Sequence, residues 1–294
     1  MLFGFLFLFE IISSTTPLEK HGLLHTSGRL IKDEKNNTVT LRGVALPGHI
    51  YSPELYSKSV IKELAVAWKV TVVRATINVD GDDGYKLNED YARGLLDTVI
   101  KAAEEEGIYV VIDFNTTLDD VDLAENFFVN AARRYANYSN VIYELFGASN
   151  NWQNIWGFNW LDLRNYLIPL ITEIRRHDPL THLIVASVQS GDNSNFWTNW
   201  QIDQVFNYPL PASVSNNVLY GLHLTEGFRQ YYQDEYDLTI EDGLPVWVSQ
   251  AAGSNATGQF QKEEWEQWVD FFNQTDISWV AVWLSTDGPN PLLV

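Results

Sequence analysis

The 294-residue chain contains no cysteine, and its basic residues are half as numerous as its acidic ones. Without cysteine, the chain can form neither a disulfide framework nor a thiolate metal site. Nineteen Lys and Arg residues against 38 Asp and Glu residues give a formal net charge of −19. This charge repels phosphate backbones and anionic lipid, so we expect no nucleic-acid partner and no membrane partner. Polyuronates would be repelled as well, whereas a neutral glycan would not be affected.

Long apolar runs are also few, and the first one has the length of a signal peptide rather than of a membrane span. Leu2–Ile12 is apolar and is followed by four small residues before Pro17. We predict that residues 1–16 are a secretory signal, cleaved between Ile12 and Pro17, and that the extracellular domain spans 17–294. The alternative is a buried N-terminal strand. Five Asn-x-Ser/Thr sequons fit a secreted glycoprotein, at Asn36, Asn115, Asn137, Asn255 and Asn273.

Metal and nucleotide signatures are missing too. The six His residues do not have the spacing of metal ligands, and no strand-like run is followed by Gly-x-Gly-x-x-Gly or a Walker loop. We therefore predict no metal and no cofactor. Aromatic residues, in contrast, are abundant, with 11 Trp, 14 Tyr and 15 Phe. Aromatic faces suit stacking on sugar rings, although they also fill cores.

Apolar strand-like runs alternate with amphipathic stretches along the whole chain, which is typical of a parallel sheet covered by helices. The predicted strands are Val39–Leu46, Val70–Ile77, Ile108–Phe114, Val141–Phe146, His182–Val188, Val218–Leu224, Pro245–Gln250 and Trp279–Leu284. The predicted helices are Ser52–Trp68, Asn88–Glu106, Asp122–Tyr135, Leu161–Arg176, Trp197–Phe206, Phe228–Glu241 and Lys262–Phe272. Eight strands favour an α/β fold of the closed (β/α)₈ TIM-barrel type, which needs about 250 residues.

The two ends of this barrel raise separate expectations. Leu23–Thr40 contains two turns, at Gly28 and at Lys35–Asn37, and is predicted to form a hairpin that caps the barrel floor. The sequence stops soon after the eighth strand, so the barrel is predicted without an eighth helix. A real shortening and an incomplete gene model both stay open. Pro169 is expected to bend the fourth long helix.

The run Val141–Asn151, Val-Ile-Tyr-Glu-Leu-Phe-Gly-Ala-Ser-Asn-Asn, resembles the fourth barrel strand of glycoside hydrolase family 5, the cellulase-type hydrolases. That family has Tyr-Glu-x-x-Asn-Glu-Pro here, and its second Glu protonates the leaving sugar. Tyr143 and Glu144 match this motif, but Gly147 and Ala148 stand where the family has Asn and Glu. The resemblance covers roughly Pro17 to Asp287 and implies a (β/α)₈ barrel of endo-β-1,4-glucanase ancestry.

Other positions of the resemblance are partly kept and partly changed. Arg74 matches the family Arg that hydrogen-bonds the nucleophilic carboxylate, and His223 and Trp283 also match. Three further cleft positions depart: Asn115 replaces a His, Thr225 replaces a Tyr, and Gln250 replaces the nucleophilic Glu.

Ala148 and Gln250 remove the chemistry that the resemblance would otherwise imply. A retaining glycosidase needs two carboxyl groups about 5–5.5 Å apart, one as proton donor and one as nucleophile. We therefore predict a secreted, monomeric, catalytically inactive pseudoenzyme that binds a neutral polysaccharide or oligosaccharide, a β-glucan such as cellulose. Ring stacking could involve the aromatic residues that follow the strands, Tyr51, Trp152, Trp156, Phe196, Trp197 and Trp200.

Two alternatives remain open at this stage. The first is an active endo-β-glycanase with a relocated acid, for which Glu226 lies at the correct end of the sixth strand. Glu144 is a weaker candidate, because alternation puts it on the face of Ala148 but roughly 13 Å deeper in the barrel. The second is a protein-binding decoy or an inhibitor of active relatives.

Overall fold

The computed structural model describes residues 15–116, 120–148, 160–188, 204–224, 243–253, 259–282 and 284. The described helices are α1 (Pro17–His21), α2 (Lys58–Val66), α3 (Glu89–Glu106), α4 (Val121–Arg134), α5 (Trp160–His177) and α6 (Lys262–Thr275), with a 3₁₀ turn at Pro53–Leu55. The strands are β1 (His25–Ser27), β2 (Leu30–Lys32), β3 (Arg42–Ala45), β4 (Val72–Asn78), β5 (Tyr109–Thr116), β6 (Val141–Ala148), β7 (Ile184–Ser187), β8 (Val218–Leu224), β9 (Val246–Ala251) and β10 (Ser278–Ala281).

Strands β3 to β10 form a closed barrel in sequence order, in which every neighbouring pair is parallel and β10 pairs back onto β3. This confirms the (β/α)₈ TIM-barrel prediction, and each of the eight predicted strands overlaps one barrel strand. The runs are mostly apolar, without a regular alternation of polar residues, because barrel strands are covered on both faces. Because all strands are parallel, their carboxyl ends meet at one end of the barrel, the mouth, where a site is expected.

The helices agree with the predictions in four places and differ in one. The stretch Ser52–Trp68 is not one helix, because a 3₁₀ turn precedes α2. Tyr56, which separates the two, buries its ring, and its hydroxyl lies 2.8 Å from the Pro47 carbonyl and 2.7 Å from the Thr76 carbonyl. That anchoring fixes the chain locally. Of the stretch Trp197–Phe206, only a helical turn over 204–207 is described, while Phe228–Glu241 and residues 285–294 lie outside the described residues.

Helix ends follow the local sequence. Gly107 ends α3 in the left-handed region, with φ 70° and ψ 36°, which glycine adopts without steric cost. Thr16 caps α1, because its side chain accepts from the Glu19 amide while the Glu19 carboxylate accepts from the Thr16 amide. Residues 1–14 of the predicted signal lie outside the described residues, so cleavage remains a prediction. Helix α5 continues through Pro169, and its bend likewise remains a prediction. No helix within the described ranges is long and apolar enough to cross a membrane.

The barrel interior begins, at its amino end, with an apolar layer that the N-terminal hairpin closes. β1 and β2 pair antiparallel across Gly28, and this confirms the predicted hairpin. Its buried side chains, among them Leu24 and Ile31, pack with inward-facing strand residues in one core cluster. The strand members of this cluster include Val72, Tyr109, Val111, Ile142, Val185, Leu219, Trp247 and Val280. We refer to these eight inward-facing residues as the lower layer.

Candidate active-site groove

Above the lower layer, the barrel interior carries charge. Arg74, the third residue of β4, is 1% exposed, and its guanidinium group lies between two equally buried carboxylates. Its Nε donates to Glu144 Oε2 at 2.7 Å, and its Nη2 donates to Glu144 Oε1 at 3.3 Å. The same Nη2 lies 3.0 Å from Asp113 Oδ2. We refer to Arg74, Asp113 and Glu144 as the ionic layer.

Three polar side chains complete the surroundings of the ionic layer. The Ser187 hydroxyl donates to Glu144 Oε1 at 2.8 Å, and Arg74 Nη1 donates to Thr76 Oγ1 at 3.1 Å. His223 Nε2 lies 3.6 Å from Glu144 Oε1, which is an electrostatic contact rather than a hydrogen bond. Glu144 is therefore held on β6 by groups from β4, β7 and β8. The sequence analysis assigned it a position deep in the interior, and the structure places it there, fully buried.

Burial and the shared guanidinium group separate the pKa values of the two carboxyl groups. Desolvation raises the pKa of Asp113 to about 7, because attraction by Arg74 does not offset burial and the nearby Glu144 charge adds to the rise. The pKa of Glu144 is lowered well below its usual range despite its burial, because Arg74 and His223 stabilise its anion. Burial lowers the pKa of His223, so this imidazole is neutral at pH 7.

The end of β6 is irregular where the resembling family has its acid. The pairing of β5 with β6 shifts between Asp113/Glu144 and Asn115/Gly147, so two β6 residues stand opposite one β5 residue. Phe146, in this bulge, has a φ of 65°, which is rare for a bulky side chain. Asn115 then pairs with Gly147, and Thr116 pairs with Ala148.

The bulge changes the backbone register near the end of β6. Strict alternation put Glu144 and Ala148 in the same register, four residues apart. The extra residue shifts this register by one, so that Gly147 rather than Ala148 pairs with Asn115, the second residue after the partner of Glu144.

A second bulge lies at the end of β9, where Gln250 takes the family's nucleophile position. Val248 and Ala251 both belong to the apolar cluster between the barrel strands and the surrounding helices, whereas strict alternation would put them on opposite faces of the strand. The pairing with β8 shifts between Leu222/Val248 and His223/Gln250, which accounts for the extra residue. Two residues, Ser249 and Gln250, therefore stand between the outward-facing residues Val248 and Ala251, where regular alternation allows only one. Ser249 is buried, whereas Gln250 is partly exposed at the barrel mouth.

On the opposite side of the mouth, the described polar groups include two carboxamides and an imidazole, and the exposed residues Asp80, Asp82 and Asp83 follow β4 in the next loop. Asn78 ends β4 and pairs in register with Asn115 on β5. The backbone N–H of Asn78 donates to His49 Nδ1 at 3.1 Å, so His49 Nε2 carries the proton and donates to the Asp83 carbonyl at 2.9 Å. His49 is fully buried, and burial lowers its pKa. The imidazole of His49 is therefore held by backbone groups at both of its nitrogens.

The structure brings together Arg74, His223, Gln250, Asn115 and the backbone of Gly147–Ala148 at the carboxyl half of the barrel. The family resemblance led us to expect a hydrogen bond between Arg74 and the residue at position 250. In the described contacts, Arg74 instead forms ion pairs with Glu144 and Asp113 in the barrel interior. Thr225, Glu226, Trp283 and the aromatic loop residues from Trp152 to Trp200 lie outside the described residues. Tyr51, after β3, is 74% exposed.

Sequence analysis missed several polar members of this region. It did not assign functions to Asp113, Ser187, His49 or Asn78. The strand-internal positions of Asp113 and Ser187, polar residues in otherwise apolar runs, were the available signal. Within the described ranges, no group of three or more His, Cys, Asp or Glu side chains could hold a metal ion.

Comparison with known proteins identifies the class to which this barrel belongs. The family model described as "Cellulase (glycosyl hydrolase family 5)" matches residues 32–288, which is most of the chain. The chain therefore belongs to glycoside hydrolase family 5.

Individual relatives agree with this assignment. The chain is 31% identical to Endoglucanase N of Pectobacterium atrosepticum over 284 residues, covering 93% of this chain and 60% of that protein. It is 30% identical to Endoglucanase 5 of Pectobacterium carotovorum subsp. carotovorum, covering 93% of this chain and 52% of that protein. The chain thus spans between about half and three fifths of the length of these curated relatives.

Solved structures support the fold. The catalytic domain of Thermobifida fusca endoglucanase Cel5A superposes with a TM-score of 0.81 at 24% identity, covering 92% of this chain and 88% of that chain. A variant of the same domain with one Glu changed to Gln has been solved in complex with cellotetraose, with a TM-score of 0.80. At this level of identity, the likeness establishes the barrel architecture.

Proposed function

We propose that this chain is a secreted, catalytically inactive member of glycoside hydrolase family 5 that binds a neutral β-glucan at the barrel mouth and acts as a monomer. The proposal is supported by the sequence, in which Ala148 on β6 and Gln250 on β9 stand where the resemblance puts the family's acid and nucleophile. An alanine has no proton to give, and a neutral amide is a poor nucleophile. Losing both groups of such a pair leaves only substrate positioning.

The carboxylates that remain in the described interior do not take over these roles. Glu144 accepts from Arg74 and Ser187 and stays ionised, so it holds no proton for a leaving group. Asp113 does hold a proton near neutral pH, but it is 1% exposed and its Oδ2 faces Arg74. A general acid must come within hydrogen-bond reach of the leaving oxygen, and a buried, paired carboxyl group does not.

Retained glycan binding is supported by the neutral polar groups of the mouth and by a relative. Asn78, Asn115 and Gln250 supply carboxamide donors and acceptors for sugar hydroxyls, and Tyr51 presents an exposed ring after β3. Thermobifida fusca Cel5A with a Glu changed to Gln is the protein solved with cellotetraose. We infer that Gln250, with its neutral carboxamide, is compatible with binding a neutral oligosaccharide.

Two assays test this proposal. Purified protein incubated with carboxymethylcellulose, glucomannan and xylan is expected to release no reducing sugar above a buffer blank. Cello-oligosaccharides are expected to bind in isothermal titration calorimetry, while a chain with Gln250→Ala binds more weakly. Clear hydrolysis would contradict the proposed loss of catalytic activity, and an absence of any binding would contradict the proposed glycan site at the barrel mouth.

Activity from a relocated acid is the competing interpretation, and one variant separates the two. If the wild-type chain hydrolyses a glycan and Glu226 is the relocated acid, the Glu226→Gln variant should have no activity. Restoring both carboxyl groups, with Ala148→Glu and Gln250→Glu, should raise turnover above the wild-type chain if the groove still presents substrate to the strand ends.

A further inference from the structure

Residues 48–51 form a tight turn shortly after β3 at the barrel mouth, and we refer to it as the aromatic turn. The backbone N–H of Tyr51 donates to the Gly48 carbonyl at 2.8 Å and closes the turn. Tyr51 is 74% exposed, whereas His49, two residues earlier, is fully buried. The same short turn therefore exposes one ring to solvent and buries another in the protein.

A second turn, residues 80–83, follows β4 and contains three exposed aspartates, Asp80, Asp82 and Asp83. We refer to it as the acidic turn. Gly81 lies close to the aromatic turn, because a Cβ placed on it would stand 3.2 Å from Ile50 Cδ1. The two turns are therefore neighbours at the barrel mouth.

His49 joins the aromatic turn to the end of β4 and to the acidic turn. Its Nδ1 accepts from the backbone N–H of Asn78 at 3.1 Å, and its Nε2 donates to the Asp83 carbonyl at 2.9 Å. Its own backbone N–H donates to the Thr76 carbonyl at 3.1 Å. One residue thus makes three hydrogen bonds to two other segments of the mouth.

These partners accept only one form of the imidazole. A backbone N–H can only donate and a carbonyl oxygen can only accept, so Nδ1 has no proton and Nε2 carries one. The ring also packs against Tyr56 and Tyr91, with centroids 6.4 Å and 6.5 Å away. Burial lowers the pKa of His49, and the carbonyl and charge of Asp83 act in the opposite direction. The folded protein therefore holds this ring neutral and in one orientation.

We propose that His49 is a positioning residue for the glycan site: by joining the aromatic turn to β4 and to the acidic turn, it fixes the Tyr51 ring in the orientation that stacks on a sugar. An aromatic side chain on a free loop loses conformational freedom when it binds, and a ring that is held in advance avoids this cost. The inference rests on the glycan binding proposed above, and it names the residue through which Tyr51 is placed.

A double-mutant cycle tests whether His49 acts through Tyr51. In calorimetry with cellohexaose at pH 7.5, Tyr51→Ala is expected to weaken binding about tenfold and His49→Gln about threefold. The double variant should bind no more weakly than Tyr51→Ala alone, because a ring that is absent cannot be misplaced. His25→Gln removes a partly buried imidazole from β1, at the other end of the barrel, and should leave binding unchanged.

Failure of the glycan site and failure of the His49 role give different results. An absence of binding by the wild-type chain would contradict the glycan site and the role of His49 together. If the wild-type chain binds, independent effects of His49→Gln and Tyr51→Ala would overturn the role of His49 alone, and so would unchanged binding by His49→Gln. Melting curves check folding, and His49→Asn, which keeps an acceptor for the Asn78 N–H, takes the place of His49→Gln if that variant does not fold.

The pH dependence of stability gives a second readout that needs no glycan. The unfolded chain takes up a proton on His49 as pH falls through the ordinary pKa of 6.5, whereas the folded state, with its lowered pKa, resists this proton. Stability from this group is therefore lost as pH falls. From pH 7.5 to 5.5, the unfolding constant of the wild-type chain should rise at least about threefold relative to that of His49→Gln. A ratio that stays constant would overturn the assigned form of the ring and the role that depends on it.

Discussion

The lower layer and the ionic layer of the barrel interior are neighbours, yet they are built on opposite principles. The lower layer is almost entirely apolar, and the N-terminal hairpin closes it from below. The ionic layer, one step nearer to the mouth, places one guanidinium group and two carboxylates at no more than 1% exposure. Apolar burial stabilises the fold without specific partners, whereas buried charges are tolerated only when they are paired.

The ionic layer also differs from the barrel mouth directly above it. We propose that the mouth lacks both catalytic carboxyl groups, whereas the ionic layer beneath it is complete, with Arg74, Glu144 and Ser187 in hydrogen-bonding geometry. Because removing one partner of a buried ion pair is costly, the ionic layer resists change for reasons of stability alone. The retention of Arg74 is therefore not by itself a sign of catalysis.

The largest expected effect comes from breaking the ionic layer. Arg74→Met leaves Asp113 and Glu144 buried without their counter-ion, and should cost about 3–5 kcal/mol in the free energy of unfolding at pH 7. Urea unfolding followed by circular dichroism measures this. Arg42→Met, at an exposed site, serves as the control and should cost less than about 0.5 kcal/mol. A loss below about 1 kcal/mol at Arg74 would mean that the ionic layer is not a structural requirement.

A smaller effect, dependent on pH, separates the two carboxylates. The pKa of Asp113 is raised from 3.8 to about 7, so the folded state binds the proton more tightly than the unfolded chain does. Wild-type stability therefore falls, through this group, as pH rises from about 4 to 7. Asp113→Asn removes the effect, so its stability relative to wild type should rise by at least about 1 kcal/mol between pH 4.5 and 8.

Glu144 changes the pH dependence of stability in the opposite sense. Comparing the wild-type chain with the Asp113→Asn variant cancels most of the Glu144 contribution. Its lowered pKa adds stability above the unfolded pKa, and that stability is lost as pH falls. The group is present in both proteins, so the difference between their urea unfolding curves reports mainly on Asp113. A difference that stays constant from pH 4.5 to 8 would contradict the raised pKa.

The smallest effect is expected in the lower layer. Ile142→Val removes one buried methylene from a residue that is 1% exposed and should cost about 0.5–1.5 kcal/mol. Because the lower layer contains no group that titrates near neutrality, the cost should be equal at pH 5 and pH 8. A cost that changes with pH would show that the two layers are coupled, and would remove the distinction drawn between them.

Local sequence patterns were sufficient for the barrel and for parts of its ends. The eight apolar runs, the hairpin around Gly28 and the left-handed end of α3 at Gly107 follow from side-chain periodicity and glycine geometry, which act over a few residues. Family resemblance added the positions of Ala148 and Gln250. The 3₁₀ turn before α2 was missed, because it depends on the tertiary contact of the Tyr56 hydroxyl with two distant carbonyl groups.

The sequence by itself determined that eight strands alternate with helices, and its resemblance to the family aligns Ala148 and Gln250 with the acid and the nucleophile. Only the tertiary structure decided which side chains face each other. The bulges in β6 and β9 shift the alternation by one residue, and Arg74 meets Glu144 from 70 positions away in the chain. Side-chain period is a local property, whereas register and the spacing between helices are set by all the strands together.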